Sequence, residues 1–384
     1  MNNALEGIEV LDFGANLAGP FAPQMMSDLG ASVIKIEEPW SDARTMGRGS
    51  SFFGCQRGKR SLAVDLKTPQ GTEVIHRLIS RVDIIHHNLR PGVAERLKYD
   101  YETARRLNPS IIYCHTTGWG STGPNADWPG WDQFGQALGG AEYHGGGCEQ
   151  GNPPMWHRYG QCDAVNAMHS LIGVLQALYH RDRTGEGQMV ETCIVNGGMT
   201  ISSDLYLRAD GPCERPTLDA EQRGLSDWYR LYETADGWIT VACVTDDQKD
   251  RLRRALGLAA EGAPPGPEGA GSPDAAFRRA TAAEWQARLD EAGVPAEISR
   301  PTYAHDIFDD PEAIDKGWVV AYQHPEVGRL EQVGSLLELS ATPGRIAGPP
   351  PALGQHTVEI LAELGYSADE SALLKDKRIV NFPD

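Results

Sequence analysis

Short apolar segments rich in β-branched residues alternate with amphipathic segments along the first 120 residues. The strand-like segments read GIEVLDF, SVIKIEEP, RSLAVDL, VDIIHHN and SIIYCHTT, and segments with helical spacing, such as QGTEVIHRLISR and AERLKYDYETARRL, lie between them. A further strand-like segment, GQMVETCIV, follows later in the chain. Two parallel neighbouring strands need a crossover connection, which is usually a helix. The pattern therefore predicts an α/β fold built on a parallel sheet.

A long helix is predicted over residues 163–182, where apolar residues recur at helical spacing and indicate one buried face. Asp163 stands at the head of this helix, and Thr184-Gly185-Glu186-Gly187 ends it. Asp163 is suited to be the N-cap, and the pattern alone favours that role. It could instead be a carboxylate nucleophile at the positive helix end, with the amides near residues 163 and 164 as oxyanion donors. The apolar residues in question are Met168, Leu171, Ile172, Leu175, Leu178 and Tyr179.

A second domain is predicted to begin near Leu225. The segment WYRLYETADGWITVACV is typical of a hairpin, and DDQKDRLRRALGL follows it as a helix. Strand-like segments return near Trp318. We therefore expect a large domain from residues 1–224, a small domain at 225–317, and a segment at 318–384 that returns to the large domain.

Composition limits the class of protein. A chain of 384 residues with 40% hydrophobic and 23% charged residues is expected to fold into two or three globular domains. The formal net charge of −18 argues against nucleic acid or an anionic membrane as partner. The sequence has neither a signal-peptide pattern nor a run of 18 apolar residues, so we expect a cytoplasmic protein. Seven cysteines without a C-x-x-C pair indicate neither a zinc site nor a disulfide framework.

The opening segment is similar to a dinucleotide-binding fingerprint, but it departs from that fingerprint at two positions. Asn16 occupies the place of the middle glycine, and Pro20 removes an amide donor just after Gly19. An NAD-dependent dehydrogenase is therefore disfavoured. Two basic segments are better candidates for binding an anion. The first has no acidic residue between positions 43 and 64, and the second follows a strand; their cations are Arg44, Arg48, Arg57, Lys59 and Arg60 in the first and Arg90 and Arg96 in the second.

Eight segments in order resemble the family III CoA-transferases, the CaiB/BaiF group. They are LEGIEVLDF…AGPFAPQMMSDLGASVIKIEEP, KRSLAVDLKTPQG, HNLRPGVAERL, TGWGSTGP, PGWDQFGQALGG, GQCDAVNAMHSLIGVLQALYHRDRTGEGQMVE, FDDPEAIDKGWVVAYQHPEVGRL and PPPALGQHTVEILAELGY. The resemblance implies a Rossmann-like large domain, a smaller inserted α+β domain and an interlocked homodimer. It also implies transfer of CoA between an acyl-CoA and a carboxylic acid, without a metal.

The resemblance further implies roles for individual residues. Asp163 would be the nucleophile, so that cap and catalyst would be the same residue. CoA would contact Ala18, Val64, Asp65, Leu66, Lys67, Asn88, Leu89, Arg90 and Arg96. Leu17 stands where formyl-CoA transferases of this group have Gln, so formate and oxalate are not expected as substrates.

Two related activities remain as alternatives. An α-methylacyl-CoA racemase would have His after Gly130, where this chain has Trp131, whose indole cannot accept a proton. His144 and His157 lie nearby in sequence and could replace that base. A non-catalytic CoA-binding subunit is the other alternative, and the presence of Asp163 argues against it.

Overall fold

The computed structural model describes residues 3–40, 50–211, 215–258, 272–335 and 337–383. The chain divides into two compact units. The first comprises residues 1–139, 157–202 and 308–384, and the second comprises residues 140–156 and 203–307. The domain boundaries expected after residues 224 and 317 stay a prediction. The second unit overlaps the small domain expected at 225–317, and it also takes in residues 140–156 and 203–224.

A seven-stranded sheet forms the centre of the first unit, in the order β13-β3-β2-β1-β4-β5-β6. All neighbouring strands are parallel except β13, which runs antiparallel to β3. The predicted α/β fold with a parallel sheet is therefore confirmed. The strands are β1 (Glu9–Asp12), β2 (Ser32–Glu37), β3 (Arg60–Val64), β4 (Ile84–His87), β5 (Ile112–Thr117), β6 (Met189–Cys193) and, late in the chain, β13 (Val380–Asn381).

Helices cover both faces of this sheet, because successive strand side chains point to opposite sides. Val10 of β1 belongs to one buried apolar cluster, and Leu11 belongs to the other. The β11–β12 hairpin (Val319–His324 and Gly328–Val333) completes the first unit. Its helices are α1 (Phe21–Asp28), α2 (Ser50–Cys55), α3 (Pro69–Ile79), α4 (Val93–Arg96), α5 (Tyr101–Leu107), α6 (Asp132–Gly139), α8 (Gln161–Thr184), α9 (Ile194–Ile201), α14 (Pro311–Asp315), α15 (Thr357–Glu363) and α16 (Ala368–Asp376).

Helix α8 is the long helix expected from the sequence, and it ends at Gly185 in the left-handed conformation, with φ 78°. The prediction of a single buried apolar face is wrong in part. Leu171 and Leu178 are buried against the sheet, whereas the other apolar residues of the predicted stripe are exposed on this chain; they are Met168, Ile172, Leu175 and Tyr179. The helix therefore has a second apolar face that the single chain does not cover.

The second unit contains a four-stranded antiparallel sheet in the order β10-β9-β8-β7. The predicted hairpin is β8 and β9, and the predicted helix is α10. The strands are β7 (Gly224–Ser226), β8 (Tyr229–Glu233), β9 (Trp238–Ala242) and β10 (Ala296–Ile298). The helices are α7 (Ala141–Gly145), α10 (Asp246–Leu256), α11 (Pro273–Phe277), α12 (Ala282–Ala292) and α13 (Tyr303–Asp306), with short 3₁₀ turns at Cys148–Gln150 and Ser203–Tyr206. A third 3₁₀ turn, Ile307–Asp309, begins at the last residue of this unit. Tyr232, Phe277 and Trp285 pack their rings together in its core.

A fully buried ion pair lies at the carboxyl end of β1. Lys59 Nζ is 2.8 Å from Asp12 Oδ2 and also donates to the carbonyl of Pro20 at 2.7 Å and to Gln56 Oε1 at 2.9 Å. Burial opposes the charge on Asp12, but Lys35 and Lys59 together hold the pKa of this carboxyl below its usual value. Burial lowers the pKa of Lys59 to about 8. The pair therefore persists only because each charge has its partner in place.

We predict that Lys59→Met lowers the free energy of unfolding by about 3 kcal/mol, because it leaves the buried Asp12 carboxylate short of its closest cation. The matched control is Lys316→Met, whose partner Glu312 is exposed, and this change is expected to lower the free energy by about 1 kcal/mol or less. Urea denaturation of both variants at pH 7 gives the comparison. Equal losses would show that burial does not set the strength of the Lys59 pair.

Candidate active site

The first turn of α8 brings Asp163 to the surface of the first unit. Gly160 is the N-cap of this helix, and Asp163 is its third residue. The predicted N-cap role of Asp163 is therefore wrong. The Asp163 side chain is partly exposed, yet its Oδ1 is buried and has no hydrogen-bond partner among the described residues.

Asp132 from another helix does the capping instead. Its Oδ2 accepts a hydrogen bond from the backbone N–H of Asp163 at 2.9 Å. Ala164 N–H donates to the carbonyl of Gly160 within the helix. The amides of residues 163 and 164 are thus both engaged and are not free oxyanion donors in this structure, whereas the wider expectation of helix-start amides near them stays a prediction.

Gln136 fixes Asp132 from one turn further along α6. Its Nε2 donates to Asp132 Oδ1 and to the carbonyls of His157, at 3.3 Å, and Tyr159, at 3.1 Å. Gln136 is completely buried and Asp132 is 6% exposed. One buried amide therefore ties α6 to the segment that leads into α8, which sets where Asp163 stands.

The environment of Asp163 opposes its ionisation. Burial and, after it, the negative charge of Asp132 raise the pKa of the Asp163 carboxyl to about 7. Among the described residues, Asp163 makes no ion pair with a cation. The carboxylate is therefore poorly compensated when it is ionised, and perturbed carboxyl groups of this kind cluster at functional sites.

Close packing of glycines gives this helix start its position. A Cβ on Gly197 of α9 would lie 2.4 Å from the carbonyl oxygen of Cys162, so only glycine lets α9 approach α8 this closely. A Cβ on Gly160 would lie 2.9 Å from Leu17 Cδ2 and 3.8 Å from Asp163 Cβ. Leu17, in the turn after β1, is therefore a direct neighbour of the Asp163 region.

Two hydrogen bonds from the Asn88 side chain hold the turn after β1. Ala15 N–H donates to Asn88 Oδ1 at 2.8 Å, and Asn88 Nδ2 donates back to the carbonyl of Ala15 at 2.9 Å. Gly19 makes room for this side chain, because a Cβ there would lie 2.5 Å from Asn88 Oδ1. Ala18 packs with Cys162 and Ile194 in a small buried cluster beside Asp163. The turn and the helix start are thus in direct contact.

Two cavities lie along this edge of the sheet. The larger, of about 310 Å³, lies where β1, β2 and β3 end, and the smaller, of about 60 Å³, lies at the ends of β4 and β5. Leu89 lines both, so they adjoin. Of the residues predicted to contact CoA, Val64, Asp65, Leu66, Lys67 and Leu89 line the larger cavity, and Ala18, Asn88, Leu89 and Arg90 line the smaller one.

Arg96, the remaining predicted residue, lines neither cavity and is exposed on α4. Its charge opposes protonation of Lys67, whose pKa is nevertheless raised, chiefly by its hydrogen bond to Glu38. Lys67 Nζ lies 2.6 Å from Glu38 Oε1 on the rim of the larger cavity. The lining of this cavity is therefore mixed in charge, with the cations Lys35 and Lys67 and the acids Glu37, Glu38 and Asp65.

The basic segment at positions 43–64 does not form an open anion site in its described part. Arg57 pairs with Asp28, Lys59 pairs with Asp12, and Arg60 pairs with Glu359 and Glu363. The prediction is wrong for these three residues, because carboxylates elsewhere in the chain neutralise them. Arg44 and Arg48 lie outside the described residues.

Sequence reasoning missed Asp132 and Gln136. Their separation of four residues places both side chains on one side of a helix, and this spacing could have indicated that they contact each other. Nothing in the local sequence indicated that this pair would contact residue 163.

Two residues concern the alternative racemase activity. Trp131 is 51% exposed, and His144 pairs with Glu149 within the second unit.

Comparison with known proteins identifies the class. Residues 5–357 match the model of CoA-transferase family III. The chain is 32% identical to the succinyl-CoA–D-citramalate CoA-transferase of Chloroflexus aurantiacus, over 98% of both chains. It is 31% identical to the succinate–glutarate CoA-transferase of Agrobacterium fabrum, over 94% of this chain and 95% of that one.

A solved CaiB/BaiF family protein from Brucella suis has the same fold, with a TM-score of 0.80 and 28% identity over 95% of this chain and 100% of that one. The chain belongs to CoA-transferase family III. It is an enzyme that transfers CoA between an acyl-CoA and a carboxylate, as the resemblance implied. No group of metal-binding residues and no helix able to span a membrane occurs in the parts of the chain that the structure describes.

Proposed function

We propose that this enzyme transfers CoA from succinyl-CoA to a second dicarboxylic acid, with Asp163 as the nucleophile. The carboxylate at the start of α8 carries the proposal, because it lacks a cationic partner among the described residues and its neighbour Cys162 packs against Ala18 and Ile194, which line the smaller cavity. The two relatives compared above are named for succinyl-CoA with D-citramalate and for succinate with glutarate. These acids share two carboxyl groups, which makes dicarboxylates the substrate class.

The proposed reaction needs only the Asp163 carboxylate and the CoA thiol. A carboxylate oxygen attacks the thioester carbonyl, and CoA leaves as a thiolate, which gives a mixed anhydride. The thiolate then attacks the Asp163 carbonyl and releases the donor acid, leaving an Asp163–CoA thioester. The acceptor carboxylate attacks this thioester, and the same two steps run in reverse to give the new acyl-CoA and free Asp163.

The CoA contacts follow the two cavities. The nucleotide end of CoA would lie in the larger cavity against Val64, Asp65, Leu66 and Lys67, and the chain leading to the thioester would pass Asn88, Leu89, Arg90 and Ala18 toward Asp163. CoA is a polyanion and the protein carries a formal net charge of −18, so local cations must provide the attraction. Lys35 and Lys67 line the larger cavity, Arg90 lines the smaller one, and Arg96 lies close to Lys67.

We predict that the enzyme forms new CoA thioesters from succinyl-CoA and dicarboxylic acids, and forms few or none with monocarboxylic acids of the same length. Asp163→Asn is expected to lower the rate by about a thousandfold or more, because an amide is a poor nucleophile. Mass spectrometry of the CoA thioesters measures the products. Hydroxylamine added during turnover should convert residue 163 of the native enzyme, but not of the variant, to a hydroxamate.

Full turnover by Asp163→Asn would rule out the nucleophile. Equal use of mono- and dicarboxylic acids would leave the transferase intact and remove the proposed substrate class. Turnover with no hydroxamate at residue 163 would indicate that CoA is transferred without a covalent intermediate on Asp163.

We predict that Arg96→Ala weakens CoA binding by about 1.5 to 3 kcal/mol, because a guanidinium that pairs with a phosphate forms a charge-assisted hydrogen bond. The matched control is Arg105→Ala, an exposed arginine on α5 outside both cavities. Calorimetry with CoA compares the two variants. Unchanged affinity in Arg96→Ala would remove Arg96 from the site.

We also propose that two copies of the chain associate through the exposed apolar face of α8, defined by Met168, Ile172, Leu175 and Tyr179. An apolar face of four large side chains on one helix is rarely left to solvent. The family resemblance implies an interlocked homodimer, so we propose that a second copy of the chain covers this face.

We predict that the native protein has the mass of a dimer by light scattering, and that Ile172→Asp lowers the mass or causes aggregation, because it would bury an unpaired carboxylate. Val327→Asp, at an exposed apolar residue of the β11–β12 turn, should leave the mass unchanged. A monomeric native protein would contradict the proposal.

A further inference from the structure

Two carboxylates meet at the start of one helix. Asp132 Oδ2 accepts the N–H of Asp163 at 2.9 Å, and a Cβ placed on Gly160 would lie 3.7 Å from that oxygen and 3.8 Å from Asp163 Cβ. Asp132 Oδ2 and the Asp163 side chain therefore flank the same small residue. Two like charges that neighbour each other in a largely buried region repel when both are ionised, because little water screens them.

Asp132 does not reach the substrate side of the site. It is almost completely buried, and its second oxygen is occupied by Gln136. It has no ion pair among the described residues. Both of its oxygens are occupied, one by Gln136 and the other by the backbone N–H of Asp163, so Asp163 is the route by which Asp132 can influence the reaction.

Few other charges face Asp163. Asp132 is the ionisable residue that α6 presents, and α9 carries no ionisable side chain. Helix α2 contributes Cys55, whose thiol pKa burial raises to about 11. From α1 there is Asp28, which is paired with Arg57, and from β5 and β6 there are His115 and Glu191, whose polar atoms bond to Leu89 and Ser121. Among the described residues, Asp132 is thus the charged neighbour of Asp163 that has no ion-pair partner.

We propose that Asp132 is a positioning residue for the reaction: it fixes the backbone of Asp163, and its negative charge repels the free Asp163 carboxylate so that attack on the thioester relieves the repulsion. The proposal rests on the nucleophilic role proposed for Asp163. When an Asp163 oxygen bonds to the acyl carbon, its charge passes to the carbonyl oxygen and then leaves with the CoA thiolate. The neutral anhydride no longer repels Asp132, so Asp132 raises the energy of the reactant more than that of the acylated enzyme.

The same repulsion, added to the effect of burial, contributes to how the rate depends on pH. Only the ionised form of Asp163 attacks, so the rate should rise through pH 7 in the native enzyme, where burial and Asp132 place the pKa of Asp163. Asp132→Asn keeps an oxygen acceptor for the Asp163 N–H but removes the charge. The acid limb should then move to lower pH, while the fully ionised nucleophile becomes less reactive.

The experiment compares native enzyme and Asp132→Asn by kcat/KM between pH 5 and 9. We expect the acid limb of the variant to lie about one pH unit lower, and its rate at pH 8 to be lower by up to about tenfold, since one unit of pKa corresponds to a tenfold factor in rate. The ratio of variant to native rate should therefore fall as the pH rises. Asp127→Asn, an exposed aspartate five residues earlier, is the matched control and should change neither quantity.

Two results would overturn the proposal. One is a folded Asp132→Asn enzyme whose acid limb coincides with that of the native enzyme, which would reduce Asp132 to a structural cap. The other is an Asp132→Glu enzyme, which keeps the charge, with its limb shifted as far as that of the Asn variant. Loss of the hydroxamate at residue 163 in the native enzyme marks failure of the nucleophile itself, so the two failures are distinguishable.

Discussion

The buried contact between Asp12 and Lys59 holds together the edge of the sheet on which the site is built. Lys59 satisfies its three donors with groups from the end of β1, from the start of α1 at Pro20 and from Gln56 after α2. The other oxygen of Asp12 accepts the N–H of Gly14 at 2.6 Å, which starts the turn carrying Leu17 and Ala18. A buried ion pair stabilises a fold only when its remaining hydrogen bonds are made, and here they are.

The carboxyl groups of Asp12 and Asp163 have opposite electrostatic surroundings. Asp12 has two lysines beside it, and its pKa lies below the usual value. Asp163 has another carboxylate beside it, and its pKa is raised to about 7. The same fold therefore compensates one carboxylate, which serves structure, and leaves the other uncompensated, which suits a group that gives up its charge during the reaction.

The basic residues divide in a similar way. Arg57, Lys59 and Arg60 are neutralised within the chain and contribute to structure, whereas Lys67, Arg90 and Arg96 lie on or near the cavities at the sheet edge. In a protein with this negative net charge, the few cations left near the surface determine where a polyanion such as CoA can approach.

The sequence by itself determined the strands, the parallel sheet, helix α8 and the family, because periodicity and motifs are encoded within short windows. It singled out Asp163 but wrongly made it the N-cap of α8. It also predicted one buried apolar face on α8, whereas the structure shows a buried apolar face and a second apolar face that is exposed on this chain. Only the tertiary structure decided that Asp132 caps Asp163, that Lys59 faces Asp12, and that Met168 and Ile172 remain exposed. The physical reason is that ionisation and burial depend on which groups come together in space, and these partners lie 31 and 47 residues apart in the chain.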